Sequence, residues 1–133
     1  MKKEDLMIGD WVEVINSDHL KYVQVGAVFT DLILTQEAEY ESEEIDIKDL
    51  QPIPLTKEIL LNNGFEEFCE GCIVKELSDD EIPTLYVWNG SIKSLYVVDN
   101  YSTNKYTYVK ECKYVHEFQH ELKSCGIKKE IVL

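Results

Sequence analysis

Residues 52–65, PIPLTKEILLNNGF, divide the chain into two stretches with different patterns. Pro52 and Pro54 keep the neighbouring backbone extended, and each lacks the N–H that a sheet would need. A continuous sheet therefore cannot run through this segment. We predict two units that meet here: residues 1–52, and residues 53–133.

A short helix is predicted directly after the prolines. Thr56 is a residue type that favours the N-cap, and the helix would cover residues 57–63. Leu55 and Leu60 have the spacing of a hydrophobic staple, and Gly64 is a typical stop. The second unit therefore begins with a helix.

Upstream of the prolines, short apolar runs alternate with polar residues, as in half-buried strands. These runs are residues 11–15, 22–29, 32–34 and 45–47. So many short strands in so short a stretch are typical of a small SH3-like β-barrel or bent sheet. We predict such a β module for residues 1–52.

Downstream, strand patterns return and a helix closes the chain. The strand runs are residues 73–74, 85–88, 92–98 and 106–109, and Asn89-Gly90 is a favourable hairpin turn. Residues 113–125 have helical periodicity. The predicted fold class is α+β: the SH3-like module, a helix, a four-stranded antiparallel meander and a C-terminal helix.

The charge balance excludes one class of function. The 133 residues include 26 Asp and Glu against 13 basic residues, all of them lysine, for a net charge of −13. Phosphate neutralisation needs clustered Lys and Arg, so we predict no direct nucleic-acid binding.

The acid is concentrated at the front, where residues 37–46 read EAEYESEEID. Such a run usually lies on a solvated loop or edge strand and discourages association. It could also imitate a row of phosphates. An acidic DNA mimic that inhibits a DNA-binding protein is therefore an alternative function.

Nothing in the sequence indicates a membrane or an export signal. Lys2 and Lys3 are not followed by an apolar segment, and no run approaches the roughly 18 apolar residues that a spanning helix needs. We predict a cytoplasmic protein with reduced cysteines and no membrane partner.

Three segments of the chain share motifs with one family: residues 8–12 (IGDWV), residues 52–65 (PIPLTKEILLNNGF) and residues 113–119 (KYVHEFQ). They resemble the IGNWV opening, the PIPLT–helix–GF linker and the YVHQLQNL helix of small uncharacterised proteins from Bacteroidota genomes, their phages and mobile elements. Glu117 and His120 replace the usual Gln and Asn. The resemblance implies a shared fold and a phage-related origin, but no activity.

Residues 116–120 read HEFQH and satisfy the H-E-x-x-H pattern. His116 and His120 could share a zinc ion, with Glu117 as the general base of a small metallopeptidase. A helical wheel centred on Phe118, however, places both histidines on the polar face. We therefore expect a solvated or partner-facing histidine pair.

Cys69 and Cys72 form a C-x-x-C pair that suggests either redox chemistry or half of a zinc site. Together with His116 and His120 they would make a structural Cys2His2 site, which is the second form of the zinc alternative. The gap between the two pairs is much longer than in a zinc finger. Unpaired thiols in a turn are the simpler interpretation.

No complete catalytic or metal constellation emerges, so we predict no cofactor and no enzymatic activity. The leading hypothesis is a non-enzymatic interaction protein that acts through protein–protein contacts with an unknown protein partner. The predicted interaction surface combines His116 and Gln119 on the last helix with Tyr86 and Trp88 in the meander.

Overall fold

The computed structural model describes eight ranges of the chain: residues 1–15, 22–36, 42–69, 72–75, 84–89, 92–100, 105–124 and 130–133. Within these ranges, the structure describes the side chains of all residues except those between 67 and 110. The chain divides into two compact units. Unit 1 contains Met1–Pro54, Tyr114–His116 and Leu133, and unit 2 contains Leu55–Lys113 and Glu117–Val132.

Unit 1 is built on one five-stranded antiparallel sheet. Its strands are β1 (Trp11–Val14), β2 (Tyr22–Val28), β3 (Leu32–Thr35), β4 (Glu44–Asp46) and β5 (Leu50–Pro52). The order across the sheet is β4-β3-β2-β1-β5, so the last strand returns to pair with the first. One 3₁₀ turn, Ile47–Asp49, connects β4 to β5.

The core of unit 1 lies on one face of this sheet. Alternate strand residues are buried because successive side chains point to opposite faces. The buried cluster comprises Leu6, Val12, Val23, Val25, Ile33, Ile45, Ile47 and Leu50. The alternation that predicts strands in residues 1–52 therefore also identifies which face is buried.

Both edges of the sheet carry features that discourage pairing with another chain. On β4, Glu44 and Asp46 are exposed on either side of the buried Ile45. On β5, the edge strand ends at Pro52, which lacks a backbone donor. The described strands thus form an open sheet with two protected edges.

Unit 2 contains one helix, most of a second helix and a second antiparallel sheet. Its strands are β6 (Glu66–Cys69), β7 (Cys72–Lys75), β8 (Thr84–Asn89), β9 (Ile92–Asn100) and β10 (Lys105–Glu111). They form a meander in the order β10-β9-β8-β7-β6. Helix α1 (Lys57–Asn62) precedes the sheet, and helix α2 (Val115–Ser124) follows it.

The sequence signals around α1 have the expected structural roles. The Thr56 hydroxyl accepts a hydrogen bond from the Ile59 N–H at 3.2 Å, which caps the first turn. Leu55 and Leu60 are fully buried. Gly64 has a φ of 84°, the left-handed conformation that favours glycine after a helix.

The predicted α+β class is confirmed, while two details differ. The meander has five strands rather than four. The sequence did not predict β6, because this strand begins with Glu66 and Glu67 and lacks the apolar alternation of a half-buried strand. The sheet of unit 1 is open among the described residues and does not close into a barrel. The two compact units divide between Pro54 and Leu55, with Tyr114–His116 counted in unit 1.

Candidate functional site

Helix α2 does not present His116 and Gln119 to solvent. Their exposed fractions are 7% and 9%, so both side chains are buried. The expectation that His116 lies on a solvated face is therefore wrong. His120 is only partly buried.

The reason is the width and position of the buried arc on α2. Val115 and Phe118 are both fully buried, although they are separated by about 60° on a helical wheel with 100° per residue. His116 and Gln119 are buried on the side of Val115 that faces away from Phe118. The centre of the buried arc therefore lies nearer Val115 than Phe118. The ring of His116 stacks on that of Tyr114, with centroids 5.9 Å apart and planes inclined by 15°.

The H-E-x-x-H pattern gives no metal site among the described residues. They contain no group of three or more His, Cys, Asp or Glu side chains that could hold a metal ion. One carboxylate oxygen of Glu117, Oε1, is buried and has no hydrogen-bond partner among the described residues. The zinc alternative gains no support from this part of the chain.

The two cysteines of the C-x-x-C pair lie on neighbouring antiparallel strands. Cys69 ends β6, Cys72 begins β7, and the two are partners in the antiparallel register. Their side chains lie outside the described ones. Cys112 is buried and forms no disulfide among the described residues.

Two further predicted residues, Tyr86 and Trp88, lie in β8. Their side chains also fall outside the described part of the chain, so the predicted aromatic surface stays a prediction. Of the acidic run at residues 37–46, residues 37–41 lie outside the described ranges. Within the remainder, Glu43, Glu44 and Asp46 are exposed at the β4 edge.

A pair of exposed apolar side chains lies on a turn in unit 1, immediately before β1. Met7 is 43% exposed and Ile8 is 59% exposed. The Asp10 N–H donates to the Met7 carbonyl at 3.1 Å, and Gly9 has a φ of 96°. This positive φ at the third position is typical of a type II turn. We refer to Met7 and Ile8 as the turn surface.

The turn is held by a buried carboxylate. Asp10 is fully buried, and its Oδ2 accepts a hydrogen bond from the Met7 N–H at 2.8 Å. The turn also bonds to β2, since the Gly9 N–H donates to the Val25 carbonyl at 2.7 Å. Gln24 Nε2 donates to the Gly9 carbonyl at 3.0 Å. These bonds fix the backbone that carries the turn surface.

Next to the turn, β2 and β3 border an open cavity of about 510 Å³. We call it the β2–β3 depression. Its lining consists of Gln24, Gly26, Ala27, Leu34, Thr35, Gln36 and Ser42. Gln24 thus belongs to the depression and also bonds to the turn.

A bulge in β2 helps to shape this depression. The register between β2 and β3 shifts between Val25 and Ala27, which places Gly26 at the irregularity. A Cβ on Gly26 would lie only 3.0 Å from the Thr35 carbonyl oxygen and 3.1 Å from the Gln36 nitrogen. The two strands approach closely here because residue 26 is glycine.

The described lining of the depression offers groups that can form hydrogen bonds. Among the lining residues that the structure describes, none is charged and none is a histidine or cysteine. Amide and hydroxyl groups both donate and accept hydrogen bonds. These described side chains can therefore pair with polar groups of a ligand.

Comparisons with protein-family models, curated proteins and solved structures find no match to this chain. The resemblance drawn from the three sequence segments stays a prediction. No helix of the described residues is both long and apolar enough to cross a membrane.

Sequence reasoning missed the turn surface and the depression, although one signal for the turn was present. Met7 and Ile8 are consecutive apolar residues before a Gly-Asp pair, so they do not fit the alternation of the following strand. Apolar side chains at a glycine turn are candidates for exposure. The depression had no such signal because it depends on the register between β2 and β3.

Proposed function

We propose that this protein acts without catalysis, by protein–protein contacts made through the turn surface of unit 1. The observation that carries the proposal is the 59% exposure of Ile8 on a turn fixed by Asp10 and Gln24. A backbone that is already fixed loses little further conformational freedom when a partner covers it. Methionine is also enriched at protein–protein interfaces.

The proposal includes an SH3-like classification of unit 1 and a phage or mobile-element role. The strand order β4-β3-β2-β1-β5, with a single 3₁₀ turn between β4 and β5, supports the SH3-like classification. The phage-related role is supported only by the resemblance of the IGDWV, PIPLT and KYVHEFQ segments. Burial of His116 and Gln119 makes the last helix the weaker candidate for the contact.

The proposal is tested by affinity capture from a Bacteroidota lysate, followed by binding measurements with the purified captured protein. Ile8→Asp places a charge in the proposed interface and should abolish both capture and binding. Leu61→Asp is the matched control, because Leu61 is also exposed, at 40%, but belongs to unit 2. It should bind like the unaltered chain.

Equal binding by Ile8→Asp and the unaltered chain would contradict the proposal, as would the absence of any reproducible partner. Both variants change an exposed side chain, so each should retain the unfolding midpoint of the unaltered chain within a few degrees. Thermal unfolding of each purified variant checks this before binding is compared.

A further inference from the structure

We propose that the β2–β3 depression holds an extended peptide segment of the partner that carries lysine or arginine. The inference rests on the proposed function and adds the chemical class of the bound segment. It is carried by the depression's size and lining, and by the charge at its border.

The lining matches the polar groups of an extended backbone. Gln24 and Gln36 carry amide groups, Ser42 carries a hydroxyl, and all three line the depression. An extended peptide presents alternating N–H and C=O groups, which such side chains can pair with. The described lining residues carry no charge, so the charge preference of the ligand comes from the residues at the border.

The lining includes two small residues, Gly26 and Ala27, which are consecutive in β2 next to the bulge. The volume of about 510 Å³ is within the range of sites that enclose small ligands. A volume of this size suits a short peptide segment better than the face of a folded domain.

The border supplies the charge preference. The Thr35 N–H donates to the Glu43 carbonyl at 3.0 Å, and the Glu43 N–H donates to the Thr35 hydroxyl at 2.9 Å. Glu44 is the register partner of Leu34. Each of these two glutamates is thus paired with a residue that lines the depression, Thr35 or Leu34. Both glutamates are exposed.

A chain with a net charge of −13 and two exposed glutamates at this border attracts cationic side chains and repels anionic ones. The same potential disfavours nucleic acid and acidic peptides. The complementary ligand is therefore a basic segment that places Lys or Arg against Glu43 and Glu44 while its backbone occupies the depression.

The probe is an acetylated, amidated peptide of alternating lysine and threonine, ten residues long, added to the full chain labelled with ¹⁵N. The amide signals of Gly26, Thr35, Gln36 and Ser42 should shift. A glutamate–threonine peptide of equal length should not shift them. Absence of shifts up to about 5 mM lysine peptide, a very weak limit, would overturn the inference.

Two double variants with the same change in net charge separate site binding from general attraction. Glu43→Gln with Glu44→Gln should weaken binding of the lysine peptide about three- to tenfold. Glu4→Gln with Glu58→Gln removes two exposed carboxylates elsewhere and should change it less than about twofold. Equal weakening by both pairs, or shifts spread over all acidic residues, would contradict a defined site.

The inference and the proposed function fail in different ways. If the captured partner binds through Ile8 but is insensitive to Glu43→Gln with Glu44→Gln, the proposed function holds and the peptide inference is wrong. If the lysine peptide binds at Gly26 and Thr35 while Ile8→Asp has no effect on any partner, the inference holds and the proposed function is wrong.

Discussion

Asp10 is a buried residue that joins the sequence motif IGDWV to the geometry of the turn surface. Its carboxylate accepts the Met7 N–H, and aspartate and asparagine can both fill that role because each has a side-chain carbonyl oxygen. The residue holds the backbone on either side of Ile8 in place.

We expect Asp10→Ala to lower the free energy of unfolding by about 1–3 kcal/mol, because it leaves the Met7 N–H without its acceptor. Urea unfolding measures this loss, and amide hydrogen exchange should become faster at Met7. The control Asp31→Ala removes an exposed carboxylate and should stay within about 0.5 kcal/mol of the unaltered chain.

Asp10→Asn retains an acceptor oxygen and should recover most of the slow exchange at Met7. If Asp10→Ala and Asp31→Ala were equally stable, the carboxylate would not be what holds the turn. In that case the 2.8 Å bond to Met7 would contribute nothing measurable.

At the scale of elements, the sequence predicts what depends on neighbouring residues. Thr56 and Gly64 mark the ends of α1, and their roles need only the local backbone. Strand β6 was missed because its pairing with β7 determines the conformation of Glu66–Cys69, and pairing is not local. The burial of His116 was missed because a helical wheel cannot locate the centre of the buried arc.

Strand β2 depends on glycine at its bulge. Gly26→Ala should destabilise the chain by about 1–3 kcal/mol, because the added Cβ meets backbone atoms of Thr35 and Gln36 that cannot rotate away. Thermal or urea unfolding checks the loss. Ala27→Gly is the matched control in the same strand and should cost only about 0.5–1 kcal/mol.

A Gly26→Ala variant as stable as the unaltered chain would show that β3 can shift by the few tenths of an ångström needed. The close approach would then not constrain the sequence at this position. The shape of the β2–β3 depression would also be less fixed than the contact distances of 3.0–3.1 Å indicate.

At the scale of the whole chain, Asn63 links two segments that are 69 residues apart. Its Oδ1 accepts the Val132 N–H at 2.7 Å, and its Nδ2 donates to the Val132 carbonyl at 3.0 Å. The same Nδ2 donates to the Ile59 carbonyl at 2.8 Å. These hydrogen bonds attach Val132, close to the last residue of the chain, to the end of α1.

Asn63→Ala should therefore lower the free energy of unfolding by about 1–3 kcal/mol, whereas Asn62→Ala, at an exposed helix position, should change it by less than about 0.5 kcal/mol. Deleting residues 131–133 should also destabilise the chain, since Ile131 is buried. Urea unfolding measures each variant.

Combining Asn63→Ala with the deletion gives a thermodynamic cycle. Both changes remove the same bonds. The combined variant should therefore lose less free energy of unfolding than the sum of the two single losses. Full additivity would show that the Asn63–Val132 bonds do not couple the two segments.

The sequence by itself determined the α+β class, the N-cap of α1 at Thr56 and the glycine that follows the helix, because propensity, capping and alternation act over a few residues. The tertiary structure alone decided the strand order of both sheets, the burial of His116 and the bulge that forms the β2–β3 depression. These features depend on register and packing between residues far apart in the chain. The candidate binding site belongs to this second group, since Gln24, Thr35 and Ser42 come together only when β2, β3 and β4 pair.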